Sequence, residues 1–413
     1  MAPPAERPAY RDVNVLRWLT AYTASVTGDV VYFLALSWAA TRAGGPSQVG
    51  LVVAAGALPR AVLMLGGGVV ADRFGPRRVA VVSDAVRCVV ILATAAGVLL
   101  SSPSMWLLVA VALVFGVVDA VFMPAVGALP PRITAPSQLA RVQGMRGLSI
   151  RLSNAVGPLL AGAVLVVGGE AGGFTAAGAL FALSLVTLLT VRTSSAEATR
   201  RGSAWRELGD GLRYIRRHRM LAPLVTVIGL SEMCFSGPVA TGLVLLADER
   251  GWGASGMGWI ASAFSVGAAA SALLLTVSTR IPRPGLTLCG ALLLTAAGAV
   301  SLGHATSLTT AVLHGSLIGL TSGFTTTVTS ALVQTETDPR YLGRVTSVTT
   351  LCTLGLAPVL FPAVGITADL WGAGTFFVGC GAICLLAAAL ALSVPVIRRA
   401  ELHPPRVASP AGR

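Results

Sequence analysis

The sequence predicts an all-α membrane protein, with twelve transmembrane helices in two six-helix halves. Three observations carry that expectation. Hydrophobic residues make up 54% of the chain and charged residues only 11%, too little charge to cover a soluble protein of 413 residues. Apolar runs of about 20 residues, the length that crosses a bilayer, recur from end to end. The 30 basic residues, all arginine, fall in alternate connections between those runs, as the excess of positive charge on cytoplasmic loops requires.

The first six spans are expected at residues 15–40, 48–71, 79–101, 104–125, 142–168 and 172–191. The first is longer than the apolar core of a signal peptide and lacks a small-residue cleavage site, so it is expected to stay as a span. The second and third are separated by a charged turn, Gly68 to Arg78. The fifth opens on Leu139-Ala140-Arg141-Val142 and meets Gly157-Pro158, a small-residue-plus-proline step. A polar stretch, 192–220, follows. In it Trp205, Leu208, Leu212 and Ile215 recur at helical spacing among Arg206, Arg213, Arg216 and Arg217. That pattern predicts an amphipathic helix lying on the inner leaflet.

The second set of spans is expected at 221–247, 255–279, 285–303, 307–333, 345–368 and 373–396. Ser231, Gly237 and Pro238 mark the seventh as a broken or kinked helix. The eleventh repeats the fifth: it opens on Leu342-Gly343-Arg344-Val345 and meets Ala357-Pro358. The expected organisation is therefore an N-terminal half, 1–191, a linker, 192–220, a C-terminal half, 221–400, and a flexible cytoplasmic tail, 401–413. With both termini in the cytoplasm, only Arg42 and Arg250 fall on the opposite face, and Arg60 lies inside a span. Arg87 counts with the cytoplasmic set. This placement directs the net charge of +13 toward anionic headgroups and away from a nucleic-acid reading.

The turn Gly68–Arg78 has its own physics. Gly68 lets helix backbones approach closely and Gly75 permits a tight reversal. Asp72 complements the N-terminal dipole of a neighbouring helix, and Arg73 and Arg77 tie that acid or nearby carbonyls. The segment resembles the cytoplasmic signature between the second and third helices of the major facilitator superfamily, at Gly68, Asp72, Arg73, Gly75, Arg77 and Arg78. Pro76 departs where a basic residue is usual. The resemblance implies the major facilitator fold over the whole chain and a latch that closes the cytoplasmic side. Gly157-Pro158-Leu159-Leu160-Ala161-Gly162 is similar to the fifth-helix motif of proton-coupled antiporters, with Ser153 and Ala161 in place of glycines. The stretch from Gly28-Asp29 through Ala57-Leu58-Pro59-Arg60 to Ser83-Asp84 looks like the macrolide-efflux and siderophore-exporter type.

Charge inside hydrocarbon is costly and marks function. Asp29 lies about 20 Å along the first helix and Arg60 about 17 Å along the second, at ~1.5 Å per residue. Their similar depth predicts an ion pair with Asp29 as proton acceptor. Glu232, about 17 Å into the seventh helix, is expected to bind a cationic substrate or carry the proton. Asp119, in the fourth helix, is expected to be neutralised by Arg141, Arg146 or Arg151. Asp84 and Arg87, three apart, pair with each other or with the charged turn.

No phosphate-binding Walker loop, catalytic triad or metal spacing occurs, and the six cysteines fall within spans. The sequence thus points to a transporter and not an enzyme, without cofactor, driven by the proton gradient. It is expected to act as a monomer in the cell membrane, among membrane lipids, on a small-molecule substrate. Export of amphipathic compounds is the leading expectation; proton-coupled import or lipid flipping on the same fold is the alternative, ahead of a non-transporting membrane sensor or enzyme.

Overall fold

The computed structural model describes residues 8–101, 104–193, 204–235, 237–277, 283–338, 340–355 and 357–400. Among the described residues, eleven helices are long and apolar enough to cross a membrane. They begin with α1 (Val13–Ala43), α2 (Pro46–Phe74), α3 (Pro76–Leu100) and α4 (Met105–Gly127). Proline occupies the first turn of α2 and α3, where its missing N–H costs nothing and its fixed φ suits the helix. Gly75, at φ 86, both ends α2 and starts α3. That one-residue reversal needs the left-handed freedom of glycine.

The fifth and sixth expected spans form one element, α5 (Leu139–Thr190), broken at Gly169 (φ 58, ψ −157). A straight helix of 52 residues would run about 78 Å, far more than the ~30 Å hydrocarbon core. The backbone at Gly169 takes a conformation essentially reserved for glycine and turns the chain back. The limbs then touch: a Cβ at Gly172 would lie 2.9 Å from the Val164 carbonyl, and one at Gly173 would lie 3.0 Å from Leu165. Among the described residues the twelve expected spans therefore become eleven membrane-crossing stretches, one of them a hairpin of two limbs and two others, Leu221–Glu249 and Leu342–Trp371, each made of two helices.

After the linker helix α6 (Ala204–Arg217) come α7 (Leu221–Phe235), α8 (Pro238–Glu249) and α9 (Gly253–Val277). The chain closes with α10 (Pro284–Gly303), α11 (Leu308–Glu336), α12 (Leu342–Gly355), α13 (Ala357–Trp371) and α14 (Ala373–Ser393). The break expected in the seventh span separates α7 from α8, with Gly237 at φ 136. The internal repeat is structural as well. α5 starts at Leu139 and α12 at Leu342. Val142 and Val345 are both fully buried, and the Arg141 and Arg344 guanidiniums each lie over a tyrosine, Tyr10 and Tyr341.

The helices gather into two compact units. One comprises residues 1–200, 238–265 and 357–376; the other comprises 201–237, 266–356 and 377–413. In the first unit α1 and α3 pack on α5, and α2 packs on α4 and α13. Trp18, Tyr22, Ala80, Phe122 and Val126 form its core. Reciprocal glycine contacts bring α2 and α13 together. A Cβ at Gly50 would lie 2.5 Å from the Phe361 carbonyl, and one at Gly365 would lie 2.5 Å from the Pro46 carbonyl.

The second unit packs Leu221, Leu224, Leu288, Leu292, Val328 and Leu332 into one core. Ile215 of α6 joins that core at 4% exposure. Tyr214 stacks on Tyr341 with centroids 4.4 Å apart, and Asp338 N donates to the Tyr214 hydroxyl at 3.3 Å. A Cβ at Gly211 would lie 2.7 Å from the Arg344 carbonyl. The Gly211–Ile215 edge of α6 is docked on α12, because Gly211 lets the backbones meet and two tyrosines cover the contact, while Leu212 of the expected apolar stripe is 48% exposed. Arg213, Arg216 and Arg217 face outward. The side chains of Trp205 and Leu208, the linker residues 194–203 and the expected tail 401–413 lie outside the described residues.

Candidate functional site: a buried charge network

The first unit brings five charged side chains together inside its apolar helices. Arg87 is the centre, with a side chain wholly inaccessible to solvent. Its Nη1 donates to Asp29 Oδ1 at 2.6 Å and reaches Asp119 Oδ1 at 3.5 Å. Its Nη2 donates to Asp84 Oδ1 at 2.8 Å and to Ser25 Oγ at 2.7 Å. Asp84 Oδ2 accepts from the Ser184 hydroxyl at 2.5 Å. Arg60 Nε meets the other oxygen of Asp119, Oδ2, at 2.9 Å.

Helix register explains the assembly. Ser25 and Asp29 are one turn apart on α1, and Asp84 and Arg87 are three apart on α3, so each pair shares a face. Arg60 comes from α2, Asp119 from α4, and Ser184 from the second limb of α5. Aromatic rings close the remaining sides. The Arg87 guanidinium carbon sits 3.8 Å from the Phe122 centroid, 4.7 Å from Phe181 and 5.5 Å from Phe115. Gly28 makes this roof possible, since a Cβ there would lie 2.9 Å from the Phe181 ring. A desolvated guanidinium over aromatic faces gains more than one in water.

Three carboxylates against two guanidiniums leave one uncompensated negative charge when every group is ionised. Solvent reaches the group unevenly. The Asp84 and Asp119 side chains are 0% and 2% exposed, Asp29 is 25% exposed and Arg60 is 46% exposed. The network therefore has a sealed interior and two accessible ends.

Asp29, Arg60 and Asp119 of the expected site thus share one network, but with different partners. The expected Asp29–Arg60 pair does not form: Asp29 pairs with Arg87, and Arg60 pairs with Asp119. Asp119 is neutralised by Arg60 and Arg87 and not by the arginines of the fifth span; Arg146 instead lies over the Tyr22 ring at 5.0 Å. Arg87 is no loop residue. It stands eleven residues, about 16 Å, into α3, and its partner Asp84 joins it here and not at the charged turn. That depth was the signal for Arg87. Ser25 was marked only by its one-turn spacing from Asp29, and Ser184 by nothing in the sequence.

Glu232 belongs to the second unit. It sits near the end of α7, one turn before the break at Gly237, and accepts from the Thr326 hydroxyl at 2.5 Å. In the charged turn, Asp72, Arg73 and Arg78 are exposed. Arg73 lies 5.7 Å over the Phe74 ring, and Arg77 donates to the Leu189 carbonyl at 2.7 Å. Among the described residues, Asp72 makes no ion pair with either. Gly68 has open space where a Cβ would stand. In α5 the Gly157-Pro158 step is a contact surface. A Cβ at Gly157 would meet Val30 at 2.8 Å, and one at Gly162 would meet the Ala254 carbonyl at 2.8 Å. From α9, Gly258 approaches the Pro158 carbonyl at a Cβ distance of 2.6 Å, and Ser262 Oγ donates to the Ala155 carbonyl at 2.6 Å.

Comparison with known proteins agrees with this architecture. A profile of the Major Facilitator Superfamily matches residues 18–362 and 239–410. The enterobactin exporter EntS of Escherichia coli O1:K1 / APEC is 23% identical over 424 residues, covering 97% of this chain and 95% of that protein. EntS of Shigella boydii serotype 18 (strain CDC 3083-94 / BS512) is 23% identical over 423 residues, with the same coverage. Among solved structures, the peptide transporter POT in complex with sulfate superposes with a TM-score of 0.73 at 13% identity, covering 94% of this chain and 96% of that one. A bacterial homolog to the human lysosomal transporter Spinster, inward-facing and occupied, gives 0.70 at 14% identity, covering 96% and 100%.

Proposed function

The chain belongs to the Major Facilitator Superfamily, and from that premise we propose that this multi-pass secondary transporter exports small amphipathic compounds by proton antiport. One observation carries the coupling. A buried network of three carboxylates and two guanidiniums holds one negative charge too many. An unbalanced charge away from water is costly, and binding one proton removes it. Asp29 is the most exposed of the three carboxylates, so we assign entry and exit of the proton to it. Asp84 and Asp119 stay with Arg87 and Arg60.

Arg60 is the second accessible end. A helix movement that draws Arg60 from Asp119 leaves the network short of positive charge and favours proton uptake, whereas a cationic substrate group seated beside the network supplies positive charge and favours proton release. Competition of this kind links the two cargoes through one shared charge balance. Glu232, at a helix break and held by Thr326, supplies a substrate contact from the C-terminal half. The turn at Gly68, Asp72, Arg73, Gly75, Arg77 and Arg78 acts as the cytoplasmic gate. Gly157, Pro158 and Gly162 form the α5 surface that α9 must leave when the transporter changes state. Alternating access then runs between two six-helix halves with both termini in the cytoplasm. Full-length likeness to enterobactin exporters supports outward transport of a siderophore-like metabolite, drug or antibiotic.

The test is transport into inverted membrane vesicles with an imposed pH gradient, screened with catecholate siderophores, macrolides and lipophilic cations. The gradient is expected to accelerate uptake of at least one class. Asp29→Asn is expected to lose at least about tenfold of the gradient-driven rate, the scale of one charge-coupled step, while downhill exchange persists. If no class responds to the gradient, or if Asp29→Asn and Glu232→Gln both keep full drive, the proposal fails.

A further inference from the structure

A second charged feature of the first unit lies at the end of the bundle that carries the Gly68–Arg78 turn. There a cavity of about 610 Å³ opens between the first turn of α1, the first turn of α3 and the last turn of α5. Arg17, Arg77 and Arg192 line it together with the chain edge 189–193. No acid contributes to the lining, and among the described residues none of the three arginines pairs with a carboxylate. Three cations in one recess repel one another, so their convergence calls for an anion.

The recess is built and not incidental. Asn14 Nδ2 donates to the Arg192 carbonyl at 2.7 Å, and Arg192 N donates back to Asn14 Oδ1 at 2.8 Å. This amide clamp pins the chain at Arg192 to α1. Arg77 Nη2 donates to the Leu189 carbonyl at 2.7 Å, and Arg17 Nη1 to the Thr190 carbonyl at 3.4 Å. The two guanidiniums are thereby anchored with donors to spare. Among the described residues, Arg77 Nε is buried with no hydrogen-bond partner, an unsatisfied donor of the kind that calls for explanation. The N-terminus of α3, which opens beside Arg77, adds the positive end of its dipole.

We propose that Arg17, Arg77 and Arg192 form a binding site for a phosphate group. Guanidiniums of Arg17 and Arg77 from two helices, with Arg192 lining the same recess, suit a tetrahedral group with several acceptor oxygens better than a single-point anion. The volume exceeds that of a bare ion, leaving room for the remainder of a headgroup or phosphorylated compound. All three arginines stand at the ends of spanning helices, the depth of lipid phosphates. An anionic phospholipid headgroup and a soluble phosphate share this chemistry. Either ligand would tie α1, α3 and the exit of α5 together through Arg77, a residue of the charged turn.

Purified full-length protein in detergent tests this by thermal melting and native mass spectrometry with dioleoylphosphatidylglycerol, dioleoylphosphatidylcholine or inorganic phosphate added. At about fivefold per arginine, Arg17→Gln with Arg192→Gln is expected to weaken binding by about 25-fold. Arg213→Gln with Arg216→Gln, on the outward face of α6, is expected to leave it unchanged. Protection by phosphatidylglycerol alone assigns the site to lipid; protection by inorganic phosphate assigns it to a soluble ligand. Should the double variant fail to fold, Thr193→Trp fills the cavity, keeps every arginine and is expected to abolish protection. Equal response of the wild-type protein and the cavity variants, or no response to either phosphate source, overturns the site.

Discussion

The interiors of the two compact units are built from different polar chemistry. The first holds five charged side chains from four helices, locked around Arg87. The second is dominated by hydroxyls. Along α11, Thr321, Ser322, Thr325, Thr327 and Thr329 each donate to a carbonyl three or four residues back in their own helix. Glu232, held by Thr326, is the acid beside this row. The difference teaches what each interior requires of its neighbours. A buried guanidinium needs partners from other helices in fixed positions, since alone it is prohibitively costly. A hydroxyl satisfied within its own helix leaves the surrounding packing free to vary. The proton switch proposed above draws on the first of these interiors, and the proposed substrate contact at Glu232 on the second.

Arg87→Met breaks this comparison most severely. It leaves Asp29, Asp84 and Asp119 around an apolar side chain, and removing one partner of a buried ionic cluster costs about 3–5 kcal/mol. Folded yield and melting temperature are expected to fall sharply. Adding Asp84→Asn, which removes the most deeply sealed of the stranded charges, is expected to recover part of the loss. In the second unit Glu232→Gln retains an acceptor for Thr326 and is expected to change stability by less than about 1 kcal/mol. If both substitutions destabilise alike, the two interiors do not differ as described.

The two interiors also differ in how far the sequence revealed them. Span positions were legible because hydrophobic length is a local property; the break at Gly169 fell between the expected fifth and sixth spans, and that at Gly237 at the kink expected within the seventh. The presence of Asp29, Arg60 and Asp119 in hydrocarbon was equally plain. Their pairing was not. Each residue advances a helix by about 100°, so depth alone places Arg60 level with Asp29 without saying that it faces Asp119. Counting arginines by loop assigns Arg87 to the nearest connection, as a partner of Asp84 near the cytoplasmic face, although its distance from Pro76 puts it deep in α3. The linker helix shows the same limit. An apolar stripe states that a face is buried and leaves open whether lipid or protein buries it; Tyr214, Ile215 and Gly211 meet α12 and its approach.

Backbone packing provides a control, because both units use glycine in the same way. A side chain at Gly67 would run into the Ala120 carbonyl of α4, and one at Gly267 into the Ser316 carbonyl of α11. Neither obstacle is the flexible end of a side chain, so the helices must separate. Gly67→Val and Gly267→Val are each expected to cost about 1–3 kcal/mol, measured by melting in detergent. Comparable losses locate the contrast between the units in their polar groups. A loss confined to the first unit would mean that its backbone packing, and not its charge, sets it apart.

The finest comparison deletes one buried hydroxyl from each interior. Ser184 donates to Asp84 Oδ2 at 2.5 Å, a bond to a carboxylate with little water to replace it. Ser184→Ala is expected to cost about 1.5–3 kcal/mol, the range for hydrogen bonds to charged groups. Thr321 accepts from Thr295 Oγ1 at 2.7 Å across α10 and α11. When Thr321 becomes valine, the Thr295 hydroxyl turns its one proton to the Ala291 carbonyl at 2.8 Å, and shape is nearly conserved. Thr321→Val is therefore expected to cost only about 0.6 kcal/mol, the average for interhelical hydrogen bonds in membranes. Parallel melting curves of the two variants decide the matter. A larger loss for Thr321→Val than for Ser184→Ala would show that the hydroxyl ladder, like the charge network, is a fixed structure and not an adaptable one.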